Sequence, residues 1–407
     1  MPAATRSDLL ATAAGLALGA LLDHVVPDPR RGHPVAGYGR FAAALEKRLF
    51  APTRPRGAVF TTLAVGAPVA AGVVVNRLTR GHPIRRAAVT AAVTWAVVGG
   101  ASLHREAGAM HQLLAAGDLP GARGRLSHLC GRDPAGLQPP ALARAVVESV
   151  AENTADAVVA PLFWGAVAGV PGLLGYRAVN TLDAMVGHRS ERYARFGWAS
   201  ARLDDLLNLA PSRLTALLTV GAAPLVRRGA AGEAWRTWRR DGGAHPSPNA
   251  GQCEAATAGA LGIRLGGRNT YGGTVDERPV LGDGRDALPA DILPAARLSR
   301  LVGAGAAALG AGSLLLRAAR SAPRLRAARS APRFRAASPA PRFRAASPAP
   351  RFRAASPAPR SRAASPAPRF RAASPAPRSR AIPPAPRFRA ARPASRAARS
   401  VRRGAAA

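Results

Sequence analysis

Six long apolar runs constrain the fold of this chain more strongly than any other feature of its sequence. An α-helix needs about 20 apolar residues to cross the hydrocarbon core of a bilayer, and several runs approach that length. The runs cover residues 9–26, 58–75, 87–103, 157–176, 209–226 and 301–316. Buried helices of a soluble bundle are the alternative. The sequence predicts an all-α, polytopic membrane helix bundle of five or six apolar helices with polar loops.

A nine-residue repeat follows the last apolar run. Residues 345–353 read AASPAPRFR, and the unit recurs about eight times up to residue 389. This region contains 24 Arg and no Asp or Glu, so it carries 24 of the 36 net positive charges. It buries too little apolar surface to offset its ordering entropy. We therefore predict a folded membrane domain over residues 1–316 and a disordered low-complexity tail over residues 317–407.

The arginine-rich tail has two interpretations. Its charge would attract anionic lipid headgroups, and we predict no specific nucleic-acid partner. Alternatively, the repeat has expanded without a selected role.

Scarce lysine and cysteine exclude several classes of site. Lys47 is the single lysine of the sequence, so neither a Walker A loop nor a pyridoxal phosphate Schiff base can form unless Lys47 serves. Cys130 and Cys253 are far apart and lie in no metal-ligand spacing. The sequence therefore predicts two free thiols rather than a disulfide framework or a zinc cluster.

Carboxylates are dense where the fourth apolar run begins. Glu148, Glu152 and Asp156 are spaced four residues apart, which places them on one stripe of a helix. Ionisable groups at a membrane edge are costly, and their presence there indicates function. The alternative is a solvated helix face on which Arg144 pairs with Glu148.

Two further stretches add acids, amides and arginines. Asn180 and Asp183 share a helical face with Arg177, and Asp204 and Asp205 precede Asn208. Carboxylates and amides at this spacing suit magnesium, which leaves coordination positions for phosphates. We therefore predict a magnesium site at Asp156, Asp204 and Asp205. The guanidinium group of one arginine can bind two oxygens of a phosphate or carboxylate. The predicted binding arginines are Arg177, Arg189, Arg192 and Arg202.

Proline and glycine mark two later segments as loops, over residues 245–251 and 266–273. The first carries His245 and Asn249, and the second carries Asn269 and Tyr271. Binding residues are often carried by such loops, although both could be ordinary turns. We include Asn180, Asn249, Asn269 and Tyr271 among the predicted substrate-binding residues, and Glu152 and His245 as candidate general bases.

Several blocks occur in the order found in one known family. They read DP at 28–29, HPV at 33–35, ESVAENTAD at 148–156, APLF at 160–163, YRAVNTLD at 176–183, ERY at 191–193, FGWASARLDD at 196–205, SPNAG at 247–251 and YGG at 271–273. Over residues 8–316 the chain resembles the CobD/CbiB family, membrane proteins that make adenosylcobinamide phosphate. It departs from the family pattern at residues 252–253, where QC replaces WP, and at Ala157, where Gly is usual.

The resemblance implies a multi-pass ligase of the cell membrane. Its substrates would be aminopropanol, or aminopropanol phosphate, and a side-chain carboxylate of adenosylcobyric acid, which it would join as an amide. Activation of that carboxylate would use ATP and magnesium. The resemblance does not itself assign catalytic roles.

Two other functions fit parts of the sequence. A magnesium-dependent membrane prenyltransferase has acidic motifs similar to residues 204–208, but a second such motif is missing. A membrane transporter or sensor could use the acids as an ion path.

Overall fold

A computed structural model describes residues 5–26, 29, 32–188, 190–271 and 274–321, with side chains left undescribed at 270, 271, 274 and 275. The predicted tail lies outside the described residues from residue 322 onward. Within the described part the helices are α1 (Arg6–Val25), α2 (Pro34–Leu49), α3 (Arg54–Leu78), α4 (Pro83–Val97), α5 (Gly100–Ala115), α6 (Leu119–Leu126), α7 (Pro139–Thr154), α8 (Ala160–Ala168), α9 (Val170–Leu182), α10 (Trp198–Ala222), α11 (Ala230–Asp241), α12 (Ala250–Leu261) and α13 (Ile292–Arg320).

Short helical segments of other types complete the helical part. Two π-helical segments, Ala155–Val159 and Asp183–Gly187, follow α7 and α9. Two 3₁₀ turns, Ala223–Leu225 and Pro289–Asp291, follow α10 and precede α13.

The predicted membrane helix bundle is confirmed. Five helical segments of the described chain are long and apolar enough to cross a bilayer: Arg6–Val25, Arg54–Leu78, Pro83–Ala115, Trp198–Leu225 and Pro289–Arg320. Each contains most or all of one predicted apolar run. The protein is therefore a multi-pass membrane protein in which α1 packs against α4 and α13, and α3 packs against α9.

The fourth apolar run, residues 157–176, does not form the single helix that we predicted. Gly169 has φ 68° and separates α8, of 9 residues, from α9, of 13 residues. α8 continues α7 and its π-helical segment without a break, so residues 139–168 form one helical run. Neither this run nor α9 is among the five candidate spans of the described chain.

A small sheet replaces one of the predicted loops. Residues 266–273 were expected to form a loop, but most of them belong to strand β1 (Ile263–Tyr271), which pairs antiparallel with β2 (Thr274–Leu281). The short strand β3 (Arg285–Asp286) joins β1 in parallel. A bulge lies between Leu265 and Gly267. It bends the hairpin toward α7, where its backbone is held by side chains described below.

The backbone of α3 approaches the start of α10 closely at Gly57, where an added Cβ would overlap the carbonyl oxygen of Phe196. We expect Gly57→Ala to lower the free energy of unfolding by about 1–3 kcal/mol, because the two backbones must separate. Gly66 of the same helix has no atom within 4 Å of such a Cβ. Gly66→Ala is therefore the matched control. Thermal unfolding in detergent measures both, and equal melting temperatures would contradict the expectation.

Candidate active site

A cavity of about 760 Å³ collects carboxylates from four parts of the fold. The end of α7 and its π-helical segment, the π-helical segment after α9, the first turns of α10, and β2 each contribute. The carboxylates that line it are Glu152, Asp156, Asp183, Asp204, Asp205 and Asp276. Arg202 and Arg278 line the same cavity, as do His245 and Asn249 of the loop before α12. We call it the carboxylate cavity.

Helical spacing and a buried tyrosine orient Asp204. Its Oδ2 accepts a hydrogen bond from Asn208 Nδ2, one turn later, at 3.0 Å. The Oδ1 of Asn208 in turn accepts from the hydroxyl of Tyr176 at 2.9 Å, and Tyr176 is 1% exposed. Asp204 Oδ1 is buried and has no hydrogen-bond partner in the described part of the chain. The carboxylate is therefore fixed with one oxygen available to a ligand.

The cavity contains more negative than positive charge. Burial and then the nearby Asp205 raise the pKa of Asp183 to about 6, with His188 acting in the opposite direction. Burial also raises the pKa of Asp156, followed by repulsion from Asp204, Glu152 and Asp183. Groups of like charge crowded in this way favour a bound cation, which lowers their mutual repulsion.

The residues fit a magnesium ion that shares its coordination with other oxygens. Among the described residues, no three His, Cys, Asp or Glu side chains are arranged to hold a metal by themselves. Magnesium, however, is usually held by one or two carboxylates together with waters and substrate phosphates. The free Oδ1 of Asp204 and the neighbouring Asp156 and Asp205 satisfy that smaller requirement.

A donor lies against each ring nitrogen of His245. The Ser247 backbone N–H donates to Nδ1 at 3.0 Å, and Arg278 Nη1 lies 3.3 Å from Nε2. Burial, then the positive charge of Arg278, lowers the pKa of His245 and favours the neutral ring. A neutral imidazole has one free lone pair and can act as a general base. His245 and Glu152, which is exposed to the cavity, are therefore both candidates for accepting a proton.

Asn249 fixes the His245 loop to α10. Its Nδ2 donates to the Asp205 backbone oxygen at 2.8 Å, and its Oδ1 accepts from Ser212 Oγ at 3.1 Å. Arg202 lies 3.8 Å from Asp205 and is largely exposed. Asn249 and Arg202 both line the carboxylate cavity.

Other predicted binding residues lie elsewhere. Arg192 pairs with Glu46 at 3.0 Å and stacks on Phe50. Asn269 is buried in the hairpin, where its Oδ1 accepts from Arg144 at 3.0 Å. Arg177 and Asn180 lie behind the cavity on α9, with 3.4 Å between Arg177 Nη1 and Asn180 Oδ1. Arg189 and the Tyr271 side chain lie outside the described residues.

The comparison with known proteins decides the family. A family model described as CobD/Cbib protein matches residues 16–299. The chain belongs to the CobD/CbiB family. A relative from Mycobacterium tuberculosis named "Cobalamin biosynthesis protein CobD" is 54% identical over 298 residues, which cover 73% of this chain and 94% of the relative. Family membership confirms the resemblance seen in the sequence.

More distant relatives have the same name. One from Geobacter metallireducens is 48% identical, covering 65% of this chain and 84% of its own length. One from Rhodobacter capsulatus is 45% identical, covering 68% and 87%. No solved structure matches the chain. These relatives offer no support for a transporter, sensor or prenyltransferase.

Three charged residues that line the cavity, Asp183, Asp276 and Arg278, were not among the predicted site residues, although Asp183 was noted in the sequence. Asp183 shares a helical face with Arg177 and Asn180, so a signal for it was present. Asp276 and Arg278 lie two residues apart on β2, joined at 2.9 Å. Their period of two places both on one face of a strand, but the strand itself was not predicted.

Proposed function

We propose that this member of a cobalamin-biosynthesis family is an amide-forming ligase of the cell membrane. It would join the amino group of aminopropanol, or of aminopropanol phosphate, to a side-chain carboxylate of adenosylcobyric acid, with ATP and magnesium. The observation that carries the proposal is the carboxylate cavity, in which six acids, two arginines and a neutral histidine converge beside the apolar bundle. The family and the relatives' name, cobalamin biosynthesis protein, support a corrinoid substrate.

The chemistry requires activation of the substrate carboxylate. A carboxylate and an ammonium ion do not condense readily in water, so the γ-phosphoryl group of ATP would first be transferred to a carboxylate oxygen, releasing ADP. The amine nitrogen would then attack the acyl carbon, and phosphate would leave with the electrons of the broken C–O bond. Glu152 would accept the proton lost by the nitrogen.

The protein's own part is positioning and charge stabilisation. Asp204, with Asp156 or Asp205, would hold magnesium, which neutralises phosphate charge when bound. Arg202 and Arg278 are placed to bind phosphate oxygens. His245 is a second group that could accept the proton lost by the amine. The Asn249 contacts to α10 keep the loop that carries His245 in place.

The full chain in lipid nanodiscs provides the test. Adenosylcobyric acid, ATP and magnesium are supplied with either aminopropanol or aminopropanol phosphate, and products are identified by mass spectrometry. We expect the amide of one amine, with one ADP formed per amide. Formation of no amide from either amine would overturn the proposal. Growth of a bacterium that lacks its own cobinamide-phosphate synthase, with cobyric acid as corrinoid source, provides a second readout.

A further inference from the structure

A second cavity, of about 620 Å³, lies behind the carboxylate cavity. It is lined by α2, the junction of α4 and α5, the end of α7, and α9. No residue that the structure describes lines both cavities. We call it the rear cavity.

Two helix ends form a wall shared by the cavities. At the end of α7, Glu152 and Asp156 face the carboxylate cavity, whereas their neighbours Asn153 and Ala157 face the rear cavity. At the end of α9, Asp183 faces the first cavity and Thr181 the second. A π-helical segment lies at each of these two ends, and such segments occur frequently at functional sites. The cavities are therefore separated by single helices.

The rear cavity differs chemically from its neighbour. Much of its lining is apolar, with Val35, Val98, Leu103, Leu129 and Met185 among its residues. Among the described lining residues the one acid is Glu106, which accepts two hydrogen bonds from Arg125, of 2.9 and 3.0 Å. Arg177 adds positive charge at the shared wall. Such a cavity suits a large, mostly neutral ring that carries one carboxylate.

Arg177 connects the rear cavity to the carboxylate cavity. Its Nη1 lies 3.4 Å from Asn180 Oδ1 on the same helix. The charge of Arg177 also acts on Asp156. An anion bound by Arg177 would therefore lie next to the residues of the carboxylate cavity that are proposed to bind magnesium and phosphate.

We propose that the rear cavity binds the corrin ring of the substrate and that Arg177 receives its reactive carboxylate at the shared wall. This inference rests on the proposed function, because that function supplies the corrinoid. A corrin ring is apolar on its faces and carries neutral amides, which matches this lining, and Asn153 and Thr181 supply hydrogen-bonding groups near the ring edge. The nucleotide and magnesium would then occupy the carboxylate cavity.

The test measures equilibrium binding of dicyanocobyric acid and of magnesium ATP to the full chain in nanodiscs. Ala36 is exposed on α2 and lines the rear cavity, so Ala36→Trp fills this space. Ala44 is exposed on the same helix and lines neither cavity, so Ala44→Trp is the matched control. Ala194→Trp fills the carboxylate cavity instead. We expect Ala36→Trp to weaken corrinoid binding roughly tenfold or more with ATP binding unchanged, and Ala194→Trp to do the reverse.

Arg177→Gln adds a second, chemical readout. The wild-type chain should bind cobyric acid more tightly than cobinamide, whose corresponding group is a neutral amide, and Arg177→Gln should abolish that preference. Loss of corrinoid binding in Ala194→Trp but not in Ala36→Trp would overturn the inference and leave the proposed function intact. Absence of corrinoid binding to the wild-type chain, together with absence of amide formation, would overturn both.

Discussion

Asp204→Asn is expected to lower the rate of amide formation by roughly 10²-fold or more, on the scale of losing one preorganised electrostatic group. The replacement keeps the shape of the side chain, and an Asn oxygen can still accept the hydrogen bond that Asn208 donates to Oδ2. What changes is the other position, where a buried, unpartnered carboxylate oxygen becomes an NH₂ group. An NH₂ group cannot coordinate a cation. The activity should therefore fall with little change in stability.

The measurement is the initial rate as a function of magnesium concentration, together with the melting temperature. If Asp204 holds the ion, the variant should need more magnesium for its residual rate. Asp283→Asn is the matched control, because Asp283 is 78% exposed and lies outside the carboxylate cavity. An unchanged rate and magnesium dependence in Asp204→Asn would remove Asp204 from the assignment.

The sequence predicted those features that depend on local periodicity. Five of the six apolar runs correspond to the five candidate spans of the described chain. The helical period correctly grouped Glu152 with Asp156, and Asp204 with Asn208. The break at Gly169 was missed because the apolar character of the run continues through it. A single glycine with positive φ changes chain direction without changing mean hydropathy.

Glu148 shows why the remainder of the site could not be predicted. Sequence spacing placed it on one stripe with Glu152 and Asp156, and the predicted local pair is present, with 3.8 Å between Arg144 Nε and Glu148 Oε1. The contact that fixes the hairpin is distant in sequence: the Gly266 backbone N–H donates to Glu148 Oε1 at 2.7 Å, across 118 residues. Arg144 itself donates to the hairpin backbone at Gly266 and Arg268. Pairings of this kind depend on the assembled fold and leave no periodic signal.

Removal of the Glu148 side chain is expected to have the second large effect. Glu148 and Arg132 form a buried ion pair, with side chains 6% and 4% exposed. Glu148→Ala should lower the free energy of unfolding by about 3–5 kcal/mol, because it leaves the Arg132 charge buried without this carboxylate and the Gly266 N–H without its acceptor. The hairpin that carries Asp276 and Arg278 would lose one of its attachments to α7, and the contacts of Arg144 would remain. Amide formation should therefore fall as well.

Chemical unfolding in detergent measures the loss, with Glu106→Ala as control. Glu106 also forms an ion pair, 2.9 Å from Arg125, but its side chain is 25% exposed. Its removal should therefore lower the free energy of unfolding by about 1 kcal/mol or less. Replacing both Glu148 and Arg132 by Met should recover much of the lost stability, since a buried pair can often be exchanged for apolar groups. It should not recover activity, because Met offers no acceptor for the Gly266 N–H that fixes the hairpin. Equal stability of Glu148→Ala and Glu106→Ala would show that the hairpin is held by Arg144 alone.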